Sequence, residues 1–381
     1  MAAVVIDVRS AEDMRDVVHR AVQALAEGRL VAFPTETVYG VAASALNDAA
    51  VGRLLECKGR PEKQPLTLAI RGPEEALDYV PDLSPIGQRL ARRCWPGPIT
   101  IVAQNHHPDS LLSQLPPAAR QAVVPEKTVG LRVPAHQLIL GVLGMMTGPL
   151  ALSSANRSGQ PDAITADQVV EGLGDHLDLV LDDGRSRFGQ PSSVVRVSRD
   201  SYEVLREGAV SDTNLKRLAS LFLLMVCTGN TCRSPMAEML ARQIIAERLK
   251  CGLDDLEDRG VMVASAGTAA MEGGRAAPQA VDVMSDIGLD LSRHETQLMS
   301  ERLVRHADMI LTMTRSHRDA ILARWPDAAS RTHLLSAGDA DVSDPIGGPR
   351  EEYQRCADQI KSELVERLTS LDFPSLDRRV A

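Results

Sequence analysis

Val226-Cys227-Thr228-Gly229-Asn230-Thr231-Cys232-Arg233-Ser234-Pro235 follows the apolar run at 221–226 and leads into Met236-Ala-Glu-Met-Leu-Ala-Arg-Gln-Ile-Ile245. The order predicts a strand, a tight turn carrying Gly and Asn, and a helix that starts near Arg233. Backbone N–H groups in such a turn and the positive end of the helix favour an anion. Arg233 can grip two oxygens of a phosphate in a fork. The same positive field favours the thiolate of Cys227, the nucleophilic form of the side chain. A thiolate beside a bound phosphoryl group implies hydrolysis through a covalent cysteine intermediate.

That chemistry also needs an acid for the leaving group. Asp344-Pro345 offers one on a loop-like segment rich in Gly, Asp and Pro, far downstream at 338–349. With Val226 to Glu238, the Ser265-Ala-Gly-Thr268 segment and Asp344-Pro345 in place, the stretch from about 220 to 375 resembles the low-molecular-weight protein phosphatases. The resemblance implies a doubly wound parallel sheet that needs no metal cofactor. It makes Cys227 the nucleophile, Arg233 the transition-state clamp, Ser234 a hydroxyl donor to the thiolate, Asn230 part of the catalytic loop, and Asp344 general acid and then base. The Cys-Thr-Gly-Asn-Thr-Cys-Arg-Ser-Pro-Met-Ala-Glu string is similar to the bacterial protein-arginine phosphatases, in which Thr231 would favour a guanidinium substrate. Ile346-Gly347-Gly348 supplies no aromatic plate for a phenol, so phosphoarginine ranks ahead of phosphotyrosine. Cys232 is the expected redox partner of Cys227, through a reversible disulfide that guards the nucleophile.

With 381 residues, two domains are expected, over 1–211 and 219–381, joined by a short polar linker at 211–214. Hydrophobic residues make up 44% and aromatics only 3%, so the cores must be built from Leu, Val, Ile, Ala and Met. The net charge of −9 divides evenly between the halves and argues against general nucleic-acid binding by either. Six scattered cysteines (57, 94, 227, 232, 251 and 356), one of them the reactive thiol, imply a reducing compartment. No apolar run approaches the roughly 20 residues of a membrane span, and the first residues lack a signal-peptide pattern, so a cytoplasmic location is expected.

In the first half, β-rich runs at 30–33, 66–70, 99–103, 129–133, 150–153, 179–181 and 194–197 alternate with helical stretches at 11–27, 49–57 and 166–172. The pattern predicts an α/β layer with a large, twisted, mixed sheet, closed by a strand at 202–206. Polar clusters follow or precede the strands: Phe33-Pro-Thr-Glu-Thr-Val-Tyr-Gly40, Cys57-Lys-Gly-Arg-Pro61, and Leu152-Ser-Ser-Ala-Asn-Arg-Ser-Gly159. In this order, with Trp95-Pro-Gly-Pro-Ile-Thr100, Thr128-Val-Gly-Leu-Arg-Val-Pro134 and Arg206-Glu-Gly208, they resemble the YrdC-like threonylcarbamoyl-adenylate synthases over roughly 8–211.

The resemblance implies that L-threonine, bicarbonate and ATP with Mg²⁺ are joined into threonylcarbamoyl-AMP, for modification of tRNA adenosine. Thr35, Arg132 and Ser192 would then contact threonine, and Lys58, Arg60, Thr128, Ser154, Asn156 and Arg206 the nucleotide. Expected partners are these small molecules and a phosphoprotein substrate, with tRNA and other threonylcarbamoyl-transfer proteins as further candidates and no membrane. Two rival readings stand beside this one. The first half could be a non-catalytic RNA- or nucleotide-binding module that targets the phosphatase, and the Cys227–Cys232 pair a redox sensor.

Overall fold

The computed structural model describes residues 3–59, 65–199, 201–369 and 371–373. Chain contacts divide it into two units, Met1–Leu218 and Ala219–Ala381. The segment read as a polar linker opens a helix, Asp212–Ala219, whose spaced Leu and Ala residues give it an apolar side that tetrapeptide composition does not show.

Among the described residues, the first unit is built on ten strands: β1 (Val4–Asp7), β2 (Val31–Phe33), β3 (Gly40–Ser44), β4 (Thr67–Ala69), β5 (Ile99–Gln104), β6 (Thr128–Arg132), β7 (Leu150–Ser154), β8 (Leu179–Asp182), β9 (Ser193–Val197) and β10 (Tyr202–Arg206). They form one sheet in the order β1-β8-β2-β3-β7-β4-β6-β5-β9-β10. The pairing is mixed: β4 runs parallel to β6 and β5 to β9, whereas β3–β7, β4–β7 and β5–β6 are antiparallel.

Because side chains alternate across a strand, the register decides what shares a face. Gly40 opposite Ser154, Leu152 opposite Thr67, Thr67 opposite Gly130 and Ala69 opposite Arg132 all lie on one side. At one end of that face Ala42, Ala69 and Leu150 pack with Val17, Val18, Ala21 and Leu25 of helix Met14–Ala26 and with Leu138, Ile139 and Val142 of helix Gln137–Met145. Past Leu152 the same face turns polar, and one pocket of this unit lies there.

The second unit carries β11 (Leu221–Cys227), β12 (Val261–Gly267), β13 (Met309–Thr312) and β14 (Thr332–Leu334), all parallel, in the order β12-β11-β13-β14. Every residue of β11 is buried, as a central parallel strand covered on both faces requires. Leu223, Met225 and Cys227 face one core, with Met236, Leu240 and Ile245 of helix Arg233–Leu249 and Ile360 and Leu364 of helix Arg350–Thr369. Phe222, Leu224 and Val226 face the other, with Val304 and Ile321. The alternation sets Cys227 on the same side as the helix that the following loop begins.

Candidate functional sites

In the second unit the sheet and one helix frame a loop at 228–232. Cys227 closes β11, paired with Gly267, and its carbonyl accepts Thr268 N at 2.9 Å. The loop lies so close to the end of β12 that a Cβ on Gly267 would fall 2.4 Å from Thr228 O and 3.0 Å from Asn230 N. Glycine is needed there for close approach.

Asn230 sits at φ 57°, a left-handed conformation that asparagine tolerates better than most residues. Its amide explains how the position is held: Nδ2 donates to Ser234 Oγ and Ser265 Oγ, both at 2.9 Å, and Oδ1 accepts Gln297 N at 2.9 Å. His294 Nε2 meets its carbonyl at 2.9 Å. Asn230 N in turn points at Cys227 Sγ, 3.3 Å away, and Ser234 Oγ lies 3.0 Å from the same sulfur. The thiol therefore faces two groups able to donate to it. Arg233, buried, ion-pairs with Asp344 and donates to Val342 O at 3.3 Å.

The structure thus brings Cys227, Asn230, Arg233, Ser234 and Asp344 together. Thr231 is half-buried, its hydroxyl 3.5 Å from Cys232 Sγ, and Ile346 is 68% exposed beyond Asp344. Cys227 and Cys232 are both free thiols. Besides His294 and Gln297 on Asn230, the site holds three residues to which the sequence gives no role. Tyr353 OH lies 3.5 Å from Cys232 Sγ, and burial raises the pKa of this phenol. His317 lies under the loop, Nε2 2.8 Å from Thr228 Oγ1, its pKa lowered to about 4 by burial and then by the charge of Arg233. Glu238 accepts from Ser265 Oγ at 2.7 Å, and burial raises its pKa. Glu238 closes the quoted Cys227–Glu238 string, which does not reveal its partner; Tyr353 and His317 stand in no local pattern that marks them.

In the first unit, Thr35, Arg132, Ser154, Ser192 and Arg206 line one pocket together with Thr67 and Thr100. Ser192 Oγ is 3.0 Å from Thr100 Oγ1, and the Arg206 guanidinium donates to Ser192 O at 2.8 Å. Burial lowers the pKa of Arg206. Thr35 Oγ1 donates to Val38 O at 2.6 Å. Arg132 forms a buried pair with Glu36, 2.8 Å, and Glu36 also accepts Ala135 N at 2.9 Å. Glu36 had not been singled out, although it sits in the quoted Thr35-Glu-Thr run. Ser153 also borders the pocket, and its hydroxyl is buried without a protein partner.

Lys58 and Asn156 do not line this pocket but bind its rim. Lys58 Nζ donates to Ser154 O at 2.6 Å and to Asn156 Oδ1 at 3.0 Å, and Ser154 Oγ reaches the same Oδ1 at 2.5 Å. Thr128, two residues back from Gly130 on the same face, does not line it either; its hydroxyl donates to Pro125 O at 3.0 Å. Arg60 lies outside the described residues. A second cavity of about 440 Å³, lined by Thr35, Glu36, His136, Asp183, Ser186 and Phe188 among others, adjoins the pocket through Thr35.

Comparison with known proteins matches both units. The "Telomere recombination" family model of Sua5, YciO and YrdC proteins covers residues 23–208, and the "Low molecular weight phosphotyrosine protein phosphatase" model covers 222–375. A putative threonylcarbamoyl-AMP synthase of Mycobacterium tuberculosis is 35% identical over 208 residues, 53% of this chain and 91% of the relative. The protein-arginine-phosphatase of Geobacillus stearothermophilus is 38% identical over 150 residues, 38% of this chain and 92% of the relative. The chain belongs to both families.

A threonylcarbamoyl-AMP synthase of Pyrococcus abyssi is 36% identical to the synthase-family unit over 190 residues, 48% of this chain. The chain spans about half the length of that relative, 52%. The solved P. abyssi Sua5 structure complexed with L-threonine shares the fold, with a TM-score of 0.52 at 23% identity over 81% of this chain and 99% of that one. No described helix of either family unit is long and apolar enough to cross a membrane.

Proposed function

We propose that the chain is a bifunctional enzyme, a threonylcarbamoyl-AMP synthase joined to a cysteine-dependent protein phosphatase, divided near residues 211–219. The phosphatase reading rests on one observation: Cys227 Sγ faces Asn230 N and Ser234 Oγ while Arg233 and Asp344 pair beside it. In this reading the Cys227 thiolate attacks phosphorus, an S–P bond forms, and the bond to the leaving group breaks as Asp344 gives it a proton. Arg233 binds the equatorial oxygens, leaving Asp344 for the leaving group. Asp344 then takes a proton from the water that hydrolyses the phosphocysteine. No metal enters these steps. Thr231 and the solvent-exposed Ile346 favour phosphoarginine on a protein over phosphotyrosine, in keeping with the arginine-phosphatase relative. Cys232 is the candidate redox partner of Cys227.

The synthase reading rests on the convergence of Thr35, Arg132, Ser192, Ser154 and Arg206 in one pocket whose rim Lys58 stiffens. Thr35, Arg132 and Ser192 would take L-threonine, and Ser154, Asn156, Lys58 and Arg206 the nucleotide, with Arg60 and Thr128 as further candidate contacts. L-threonine, bicarbonate and ATP would give threonylcarbamoyl-AMP, pyrophosphate and water. Among the described residues no group of three His, Cys, Asp or Glu side chains is placed to hold a metal. Mg²⁺ would enter this site with the nucleotide substrate and would supply positive charge to its phosphates. The product would serve tRNA modification through other threonylcarbamoyl-transfer proteins in the cytoplasm.

Cys227→Ser tests the first activity. It should abolish phosphate release from phosphoarginine, keep binding of inorganic phosphate, and leave threonine- and bicarbonate-dependent pyrophosphate release intact. Phosphate release at the wild-type rate would overturn the phosphatase mechanism, and absent pyrophosphate release from the wild type would overturn the synthase.

A further inference from the structure

The short segment Met313-Thr-Arg-Ser-His317 runs from the end of β13 into the first turn of helix Arg315–Arg324, and no step above uses it. Its hydrogen bonds run in two directions. Towards the nucleophile, Met313 N donates to Val226 O at 3.0 Å and His317 Nε2 meets Thr228 Oγ1 at 2.8 Å, so the segment grips the residues on both sides of Cys227. Towards the acid loop, Met313 O accepts Val342 N at 2.8 Å, Arg315 N donates to Asp341 Oδ1 at 2.9 Å, and the Arg315 guanidinium donates to Asp339 O. The His317 ring is 5% exposed, and its other nitrogen, Nδ1, meets Thr314 Oγ1 at 2.9 Å, which fixes its plane. Asp344 stands two residues beyond Val342, whose carbonyl also accepts Arg233 Nη1.

We propose that this segment is a clamp that sets the distance of Asp344 from Cys227, with His317 and Asp341 as positioning residues on its two arms. The segment at 335–349 has no strand or helix of its own, so Asp344 needs such an external reference. The bonds at 339, 341 and 342 supply it from Arg315 and Met313, in the same segment whose Met313 and His317 hold the nucleophile's neighbours. The clamp rests on the phosphatase reading and deepens it. Its failure would show selectively: a loosened clamp leaves attack by the thiolate intact and weakens proton delivery to the leaving group.

Leaving-group dependence reads that difference. p-Nitrophenyl phosphate releases a stable anion and hardly needs the acid, whereas phenyl phosphate releases a basic phenolate that does. Asp341→Ala and His317→Ala should lower kcat/KM on phenyl phosphate, which reports the steps up to departure of the leaving group and not the shared hydrolysis of the phosphocysteine, at least tenfold while changing kcat/KM on p-nitrophenyl phosphate less than threefold. Asp341→Asn, which keeps the acceptor oxygen for Arg315 N, should retain the wild-type ratio. Asp341 is exposed, so its variant separates the idea from a folding defect should His317→Ala prove unstable. An equal loss of kcat/KM on both esters in Asp341→Ala, or no loss on either, overturns the clamp. The phosphatase reading itself falls if wild type releases phosphate from neither ester nor from phosphoarginine, or if Asp344→Asn leaves the ratio of the two kcat/KM values unchanged.

Discussion

Asn230→Ala isolates the cost of shaping the phosphate loop. The side chain makes three hydrogen bonds of 2.9 Å, to Ser234, Ser265 and Gln297, at a residue that is fully buried. At about 1 kcal/mol each their loss removes about 3 kcal/mol. Alanine in the left-handed region at φ 57° adds about 1–2 kcal/mol of backbone strain. Some of this is recovered as the loop relaxes, but relaxation moves Asn230 N and Ser234 Oγ away from Cys227 Sγ, the geometry on which attack depends. Counting only the bonds, kcat/KM for phosphoarginine should fall on the order of 100-fold, since each 1.36 kcal/mol is worth a factor of ten. Asn230→Gly relieves the strain and not the bonds, so its kcat/KM should stay on the order of 100-fold below wild type. The assay is phosphate release with both variants, alongside pyrophosphate release by the first unit as a control for intact protein. Asn230→Ala within threefold of wild type, at unchanged melting temperature, would refute the reasoning that these bonds hold the catalytic loop.

Lys58→Ala should raise the KM for ATP in pyrophosphate release by roughly 30- to 150-fold, because the carbonyls of Ser154 and Asn156 lose a charged donor worth about 2–3 kcal/mol; an unchanged KM would remove Lys58 from the site. Thr231→Ile should shift kcat/KM from phosphoarginine towards phosphotyrosine by crowding the polar substrate, measured on both substrates with both proteins; an unmoved ratio sinks the assigned role of Thr231. His317 predicts a pH effect. Its folded pKa of about 4 lies below the ordinary 6.5, so its contribution to stability is complete above about pH 6.5 and is lost as pH falls towards about 4. Melting temperature plotted against pH should therefore fall less steeply over that window in His317→Gln than in wild type.

Local chemistry made much of this protein legible. The strand, turn and helix around Cys227 stand in ten consecutive residues, because a loop that binds an anion through its own backbone must be built from neighbours. The β-rich runs at 99–103 and 150–153 likewise carry their own signal and appear as β5 and β7. Strand β3, Gly-Val-Ala-Ala-Ser, carries almost none; it is extended because β2 and β7 pair with it on either side. His317 reaches Thr228 across 89 positions, Tyr353 reaches Cys232 across 121, and Glu36 reaches Arg132 across 96. Such partners are chosen by the packed fold, and no neighbouring residue betrays them. Thr128 shows the converse: a residue within a matching motif whose strand position leaves it off the pocket lining.

Cys227 is the final rung of a fully buried central strand, in register with β12 for its whole length. The nucleophile is therefore part of the slowest-opening element of its unit, and the loop cannot fray without pulling on that strand. Warming should leave the reactive sulfur correctly placed until the sheet itself melts, so thermal inactivation and unfolding should follow a single curve.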